Sequence, residues 1–523
     1  MTSILDELQL TLAYRLWLPE QIRMLEQQLA LHNSEGLYGL MEQAGRALDA
    51  HLQHDWPHAQ RLWIFCGQGN NGGDGYVLAR LARQRGLIVE VYALGAPKPD
   101  SEAARAYQLW LADGGQVQTS LPVVSDATHG PDLLVDALLG IGPQVPLQGR
   151  VLEWIDYINR QPAPVLAVDL PSGLHCVSGA PLGTAVRASR TITFVGWKSG
   201  LLTGQGPELT GPITLCPLVT ESIVTESMEA AALGHDDVTV SRFGTLLRAD
   251  YGLARYALPP RSRTAHKGSC GRVLVLGGGL GMPGAIRLAA EAALRTGAGL
   301  VRVASRTEHQ LLVLAGRPEL MWAAFGRSNT DYSASAAWAS VRVLGPGLGQ
   351  DEWARSLWSA QLALPGPLVL DADGLNLLAE VPVYREDWIL TPHPGEAARL
   401  LACTVAEVEQ DRLLAVRRLQ QQYGGVVLLK GAGTLVSDGK TIWLCQEGNP
   451  GMASGGMGDV LSGIIAALWG QGLSPATAAW VGVCVHGEAA DIAARDGERG
   501  MLASDLLPFI RRLVNPVESL DEH

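Results

Sequence analysis

Two glycine-rich strings hold the side chains best suited to chemistry. The first, Gly67-Gln-Gly-Asn-Asn-Gly-Gly-Asp-Gly75, sets Asn70, Asn71 and Asp74 among five glycines. The second, Asn449-Pro-Gly-Met-Ala-Ser-Gly-Gly-Met-Gly-Asp459-Val-Leu-Ser-Gly463, places a carboxylate at the start of an apolar run. Both read as a turn that opens a helix, where unpaired backbone N–H groups attract anions. In the second string those N–H groups could stabilise charge developing on a transferred phosphoryl group. Asp459 beside them could take a proton from a substrate hydroxyl. An acid in the first turn also suits the helix dipole without any catalysis, so that simpler reading stands beside the catalytic one.

Further oxygen ligands follow the first string. Asp136 closes one apolar run, and Asp169-Leu-Pro-Ser172 closes another. In a parallel sheet such strand ends share one rim, where ligands bind. Asn71, Asp136 and Ser172 would together offer hard oxygen ligands for a monovalent or divalent cation. Asp169 would be a rim carboxylate available for proton transfer. Taken singly, either aspartate could be a turn or cap carboxylate. Lys198, in Gly196-Trp-Lys-Ser-Gly200, is an isolated cation that suits a phosphate or acid role, or a surface lysine.

The second half holds a matching set. Lys430-Gly-Ala-Gly-Thr434 follows an apolar run and offers backbone and one cation to a nucleotide phosphate. His393 lies between two prolines in Thr391-Pro-His-Pro-Gly-Glu396, which fixes its backbone, although a loop histidine is often merely exposed. Gly345-Pro-Gly-Leu-Gly349 and Asp371-Ala-Asp-Gly-Leu-Asn376 end runs on the same presumed rim.

Two segments match the dinucleotide fingerprint GxGxxG, beginning at Gly67 and Gly279. A dehydrogenase of that type also needs an acid about 20 residues on, at the end of the second strand. Glu90 sits mid-strand, and the corresponding strand of the second half ends at Ser305-Arg306. The fingerprint is therefore incomplete in both places.

The elements that must position these residues are short apolar runs ending in glycine, each followed by a helical pattern. Leu62–Cys66, Ile88–Leu94, Asp132–Asp136, Pro164–Val168 and Thr191–Val195 are the runs of the first half. Arg272–Leu276, Leu300–Ala304, Val341–Leu344, Pro367–Asp371, Trp388–Thr391 and Val426–Lys430 are those of the second. Continuous apolar character fits strands buried on both faces of a parallel sheet. Pro19 to Gln53 reads as two helices. Val219 to Asp237 is polar and acidic, without a run of strand length. The expected organisation is two α/β domains in series, 1–222 and 236–523, joined by a linker at 223–235. The first is expected to be Rossmann-like.

The 523 residues are 47% hydrophobic and 18% charged, a globular composition able to fill more than one core. The net charge of -12 argues against a nucleic-acid or anionic-membrane binder. Seven dispersed cysteines with no CxxC give no zinc spacing or disulfide framework and suggest a reducing compartment. Val460 to Gly487 lacks Asp, Glu, Lys and Arg, but Gly470-Gln-Gly-Leu-Ser-Pro475 breaks it into two short helices rather than one span.

Together and in order, GQGNNGGDG, DALLG, DLPSG, HKGSCG, GPGLG, DADGLN, TPHPGE, KGAGT and GGMGD resemble the YjeF family of bifunctional NAD(P)H-hydrate repair enzymes. The resemblance runs from about Trp17 to the final helix. It implies an epimerase domain followed by a ribokinase-like, ADP-dependent dehydratase domain, acting on NADHX and NADPHX. By position it assigns Asn70, Asn71, Gly72, Gly73 and Asp74, the loop Gly140, Ile141, Gly142, Pro143, Gln144, Val145 and Pro146, and Asp169 to the hydrate in the first domain. Asn71, Asp136 and Ser172 would bind K⁺. In the second domain Ala285, Gly347, His393 and Asp459 would contact the hydrate. Lys430, Gly431, Ala432, Gly433, Thr434 and Gly458 would contact ADP, with Mg²⁺ on its phosphates. Asp459 is the expected base for phosphoryl transfer, and Asp169, helped by Lys198, the expected epimerase acid–base group. Two departures from the family pattern lie at Gly277–Ala285 and at Gly140–Pro143, the latter lacking a threonine. A cytoplasmic homo-oligomer without nucleic-acid or membrane partners is expected. A ribokinase-like metabolite kinase would explain Asp459 and Lys430 but leave the first domain idle. A nucleotide-binding scaffold would leave Asp136, Asp169 and Ser172 without a task.

Overall fold

The computed structural model describes residues 11–122, 130–218, 243–324 and 330–515. The chain divides between Arg242 and Phe243 into two compact units. The linker expected at 223–235 lies outside the described residues, as do the domain boundaries beside it.

The N-terminal unit is built on seven strands: β1 Arg61–Cys66, β2 Ile88–Ala93, β3 Val117–Gln118, β4 Leu133–Ala137, β5 Val165–Val168, β6 Arg190–Phe194 and β7 Ile213–Cys216. They pair in the order β3-β2-β1-β4-β5-β6-β7, every pair parallel. The period-two geometry of a strand sends alternate side chains to opposite faces. Ile64 and Cys66 join one buried cluster, while Trp63 and Phe65 join another. Both faces are covered, which is why β1 reads as an unbroken apolar run. The order reverses between β1 and β4, opening a crevice beyond their carboxyl ends.

Three helices matter for that crevice. Helix α1 (Pro19–Ala30) begins with proline at its first position and buries Ile22, Leu25 and Leu29. Helix α2 (Gly36–Asp55) packs beside it, and α3 (Asn70–Gln84) opens directly from the first glycine string. The approach to α1 is tied to the loop after β6. Leu16 bridges Trp197, and the Trp17 N–H donates to the Trp197 carbonyl at 2.9 Å.

The C-terminal unit has ten strands: β8 Thr245–Ala249, β9 Arg272–Leu276, β10 Leu300–Ser305, β11 Met321–Ala324, β12 Val341–Leu344, β13 Leu368–Leu370, β14 Trp388–Leu390, β15 Val426–Leu429, β16 Thr434–Ser437 and β17 Thr441–Cys445. Their order is β11-β10-β9-β12-β13-β14-β15-β16-β17-β8. The β15–β16 and β16–β17 pairs are antiparallel and the rest parallel. The order again reverses, between β9 and β12. Helices α4 (Pro283–Thr296), α5 (Pro394–Leu400), α6 (Met457–Gly470) and α7 (Pro475–Ala493) surround this crevice. Gly463 lets α6 approach α4 closely, since a Cβ there would lie 2.1 Å from the Ala289 carbonyl oxygen.

The apolar stretch 460–487 is shared between α6 and α7, and no described helix is long and apolar enough to cross a membrane. The β16–β17 hairpin was not among the expected strands, although Asp438-Gly439 between two apolar runs is a hairpin signal.

Candidate functional site

In the N-terminal crevice the chain leaves β1 through Gly67. A Cβ there would sit 1.8 Å from the Leu138 carbonyl oxygen, so only glycine permits this approach to the end of β4. That closeness brings Asn71, Asp136 and Ser172 together around Leu139. The Ser172 hydroxyl donates to Asp136 Oδ1 at 2.6 Å, and the Ser172 N–H donates to Oδ2 at 2.7 Å. Asn71 Nδ2 donates to the Leu139 carbonyl at 2.9 Å, and the Leu139 N–H donates to Ser172 Oγ at 2.9 Å. Asp136 is fully buried, and burial pushes its carboxyl up to about 6 against the pull of these hydrogen bonds. Among the described residues, no cationic side chain contributes to that balance. A buried carboxylate with neutral oxygens and no counter-charge is chemically suited to a bound cation.

Asp169 lies just past β5 with φ of 64°, a left-handed conformation uncommon outside glycine. Its Oδ1 accepts from Thr193 Oγ1 and the Phe194 N–H, each at 3.1 Å, and from Lys198 Nζ at 2.5 Å. Val195, at φ 67°, turns the chain so that Lys198 returns to this point. Lys198 is buried, and its ammonium also donates to Thr193 Oγ1 at 2.9 Å and the Phe194 carbonyl at 2.7 Å. All three of its protons are thereby committed. These contacts fix the Lys198 ammonium against Asp169.

Two more carboxyls face this ion pair. Burial and the Asp169 charge raise Asp74 well above the usual carboxylate range. The same causes raise Glu26 of α1 to about 7, with Lys198 and Arg23 pulling it down. Asp74 was expected here, but Glu26 was not. The 140–146 loop lies at the mouth, with Val145 exposed and Gln144 Oε1 3.0 Å from His175 Nε2.

In the C-terminal crevice, Asp371 follows β13 and is buried. Lys430, following β15, donates to its Oδ1 at 2.9 Å, and Ser462 of α6 donates to its Oδ2 at 2.7 Å. Burial alone would raise the Asp371 carboxyl, but Lys430 and Ser462 outweigh it and the net shift is downward. Burial would lower Lys430, but Asp371, Glu396 and Asp459 hold it above its ordinary value. Gly458 adjoins this pair, since a Cβ on it would lie 3.2 Å from Lys430 Nζ. Asp459, next in the first turn of α6, is pushed up to about 7 by burial and then by Asp371, against Lys430. Burial likewise raises Glu396 to about 7.

The other expected residues surround this core. His393 caps α5: its Nδ1 accepts from the Gly395 and Glu396 N–H groups, at 3.0 and 3.4 Å. A ring nitrogen that accepts carries no proton, so His393 is neutral with its proton on Nε2. Burial also lowers its pKa. A Cβ on Gly347 would lie 3.1 Å from the Ala285 Cβ, so these two meet at the start of α4. The 431–434 turn is closed by the Thr434 hydroxyl, which donates to the Gly431 carbonyl at 3.0 Å. Buried Arg412 supports it by donating to the Leu429 and Lys430 carbonyls. Sequence reasoning assigned no role to Arg412, Glu396 or Ser462. The only local hint was the position of Glu396 three residues after His393, the capping-box spacing.

Residues 37–200 match the family described as YjeF-related protein N-terminus. Residues 273–512 match the family described as NAD(P)H-hydrate dehydratase. The chain is 45% identical over 509 residues to the bifunctional NAD(P)H-hydrate repair enzyme Nnr of Escherichia coli, covering 97% of this chain and 95% of that one. It is 46% identical over 498 residues to the Coxiella burnetii enzyme of the same description, covering 95% and 98%. Among solved structures, the ADP/ATP-dependent NAD(P)H-hydrate dehydratase of Bacillus subtilis is 29% identical with a TM-score of 0.46, covering 50% of this chain and 95% of that one.

Proposed function

The chain belongs to the bifunctional NAD(P)H-hydrate repair enzymes, and on that premise we propose which of its residues carry each half of the repair. The activity joins an epimerase to a nucleotide-dependent dehydratase. The damaged cofactor has gained water across a ring double bond. Addition to an enamine leaves the hydroxyl on the carbon bonded to the ring nitrogen, and this carbon is the stereocentre that distinguishes the two epimers.

In the C-terminal unit, Asp459 takes the proton of that hydroxyl as its oxygen attacks a phosphoryl group. The N–H groups from Gly455 to Gly458 face the developing charge, and Lys430 with Gly431, Ala432, Gly433 and Thr434 receives the nucleotide phosphates. Phosphate then leaves as the ring nitrogen supplies electrons. Loss of a proton from the neighbouring ring carbon restores the reduced cofactor. ADP is the proposed donor, giving AMP and phosphate. Mg²⁺ would enter on the nucleotide phosphates, with Asp371, Glu396 and Asp459 as the nearby carboxylates, and would neutralise phosphate charge. Ala285, Gly347 and neutral His393 would contact the S-hydrate.

In the N-terminal unit, Asp169 is the proposed base for interconverting the epimers, oriented by Lys198. Asn70 to Asp74 and Gly140 to Pro146 would hold the hydrate. The chemistry of Asn71, Asp136 and Ser172 fits K⁺, whose charge would offset that of buried Asp136. The proposed setting is a cytoplasmic homo-oligomer.

The observation that carries the dehydratase reading is the Lys430–Asp371 ion pair set beside the raised carboxyl of Asp459 at the start of α6. The test mixes both epimers of the hydrate with the protein and Mg²⁺, with and without ADP, and counts reduced nicotinamide and AMP. Full ADP-dependent recovery of both epimers supports both assignments. Recovery of one epimer alone removes the epimerase reading. A stable phosphorylated product would move the C-terminal unit to the metabolite kinases.

A further inference from the structure

The Asp169–Lys198 pair holds no proton free to donate. Epimerisation must break a bond at the carbon bearing the hydroxyl and remake it on the other face, which requires a base and an acid. Asp169 is held as a base by three donors on one oxygen. Lys198 has all three protons engaged by Asp169, Thr193 and the Phe194 carbonyl. Donating one would dismantle the clamp that orients the base.

A carboxyl on α1 is placed to fill the gap. Glu26 follows Leu25 on the margin of the buried face of α1 and is itself half-buried. Its position relative to Lys198 is set by backbone contacts, because Leu16 and Trp17, just before α1, pair with Trp197. A Cβ on Gly196 would lie 2.5 Å from Trp17 Cδ1, so this junction is close-packed. The charged groups that act on Glu26 are Asp169 and Lys198, with Arg23 on its own helix, and Glu26 acts in turn on Asp74 of α3.

We propose that Glu26 is the proton donor that works opposite Asp169 in epimerisation. The inference rests on the epimerase reading of this unit. In the forward step Asp169 removes the hydroxyl proton, the carbon–oxygen bond becomes a carbonyl, and the bond from that carbon to the ring nitrogen breaks. The electron pair stays on nitrogen, which takes the proton of the Glu26 carboxyl. Rotation of the aldehyde then presents its other face. Nitrogen re-attacks and returns its proton to Glu26, and the oxygen takes back the proton from Asp169. The two carboxyls end as they began, and no oxidant or further reactant is used. A carboxyl raised toward neutrality can both give and recover a proton, which fits Glu26 at about 7.

The test uses the full chain as wild type, Glu26→Gln and Glu26→Asp. Each purified epimer is supplied without ADP, so that the dehydratase is idle, and interconversion is followed by NMR across pH. Removing a general acid should slow kcat by about 10²-fold or more in Glu26→Gln, with KM little changed. Glu26→Asp should recover part of that loss. The wild-type rate should fall as pH rises through about 7, and Glu26→Gln should lack that limb. ADP-dependent recovery from the S epimer should be the same in all three. A Glu26→Gln enzyme with wild-type rate and the same alkaline limb overturns the inference. So does a rise in KM in both variants with kcat unchanged, which would mark a binding role. A wild type that interconverts nothing overturns the epimerase reading itself, and this inference with it.

Discussion

Replacing Lys430 by methionine should destabilise the C-terminal unit by an amount that depends on pH. Lys430 Nζ lies 2.9 Å from Asp371 Oδ1, and Asp371 is 1% exposed. Methionine fills much of the lysine stem but leaves the carboxylate without its cation. Breaking a buried pair in this way costs ~3–5 kcal/mol. Ser462 still donates to Oδ2, and the lysine side chain is 20% exposed, so the lower end, about 3 kcal/mol, applies. In the wild type Asp371 titrates below its ordinary value, so the pair's contribution is present at neutral pH and is lost only as pH falls through that lowered value. In the variant burial is opposed only by hydrogen bonds, and Asp371 should titrate above its ordinary value. The penalty is then full near neutrality and relaxes on acidification as the carboxyl takes up a proton. Two units preclude a single unfolding curve for the chain, so the assay is amide exchange by mass spectrometry on peptides from β13 and α6. Adding Asp371→Asn should return protection to within about 1 kcal/mol of wild type, since the buried charge is gone and the Ser462 hydroxyl can still pair with an amide. Equal loss of protection at acidic and neutral pH, not rescued by Asp371→Asn, would show that lysine packing rather than charge had been removed, and would refute the reasoning.

Asp459→Asn should lower the dehydratase kcat by ~10²–10⁴-fold while leaving epimer interconversion unchanged. Because the base must be ionised and burial holds Asp459 at about 7, the wild-type dehydratase rate should climb as pH rises through that value. Exchange of K⁺ for Li⁺ should slow epimer interconversion in the wild type, and Ser172→Ala should blunt the response to added K⁺, both read by NMR of the epimers. Gly463→Ala would place a methyl group 2.1 Å from the Ala289 carbonyl oxygen, so α4 and α6 must separate. Overpacking of that kind costs ~1–3 kcal/mol, visible as a lower Tm and faster exchange in α6.

Eleven of the strands were legible because their residues are apolar on both faces: Leu62 to Cys66 cannot sit anywhere but between two covered surfaces. The β16–β17 hairpin carried its Asp438-Gly439 signal and was passed over, while two other strands are weakly marked. β7 is only partly buried along its length, and β3 has two residues. The rim residues were legible for a related reason. A carboxylate directly after a buried run must emerge at the end of a strand, which is where Asp169 and Asp371 lie. Gly67 and Gly463 were visible as glycines, but the close approaches that require them, to Leu138 and Ala289, are tertiary facts.

The partners of those rim residues were harder to read, and the sheet order explains why. Lys198 looked like an isolated cation because Asp169 is 29 residues away. The two meet because β5 and β6 are parallel neighbours with Val168 opposite Ile192. Lys430 and Asp371 are 59 residues apart and lie at the ends of β15 and β13, with β14 between them. Ser462 reaches the same carboxylate from α6, 91 residues on in the chain. In each case a crossover, not local spacing, determines which charge meets which. Glu26 is the limiting case. It sits on an amphipathic helix where a polar residue is the ordinary expectation, and its coupling to Asp169 and Lys198 follows from where α1 docks, beside the loop after β6. Residue type therefore identifies candidate acids and bases in a parallel α/β chain, while their pKa values and division of labour depend on contacts that the crossovers create.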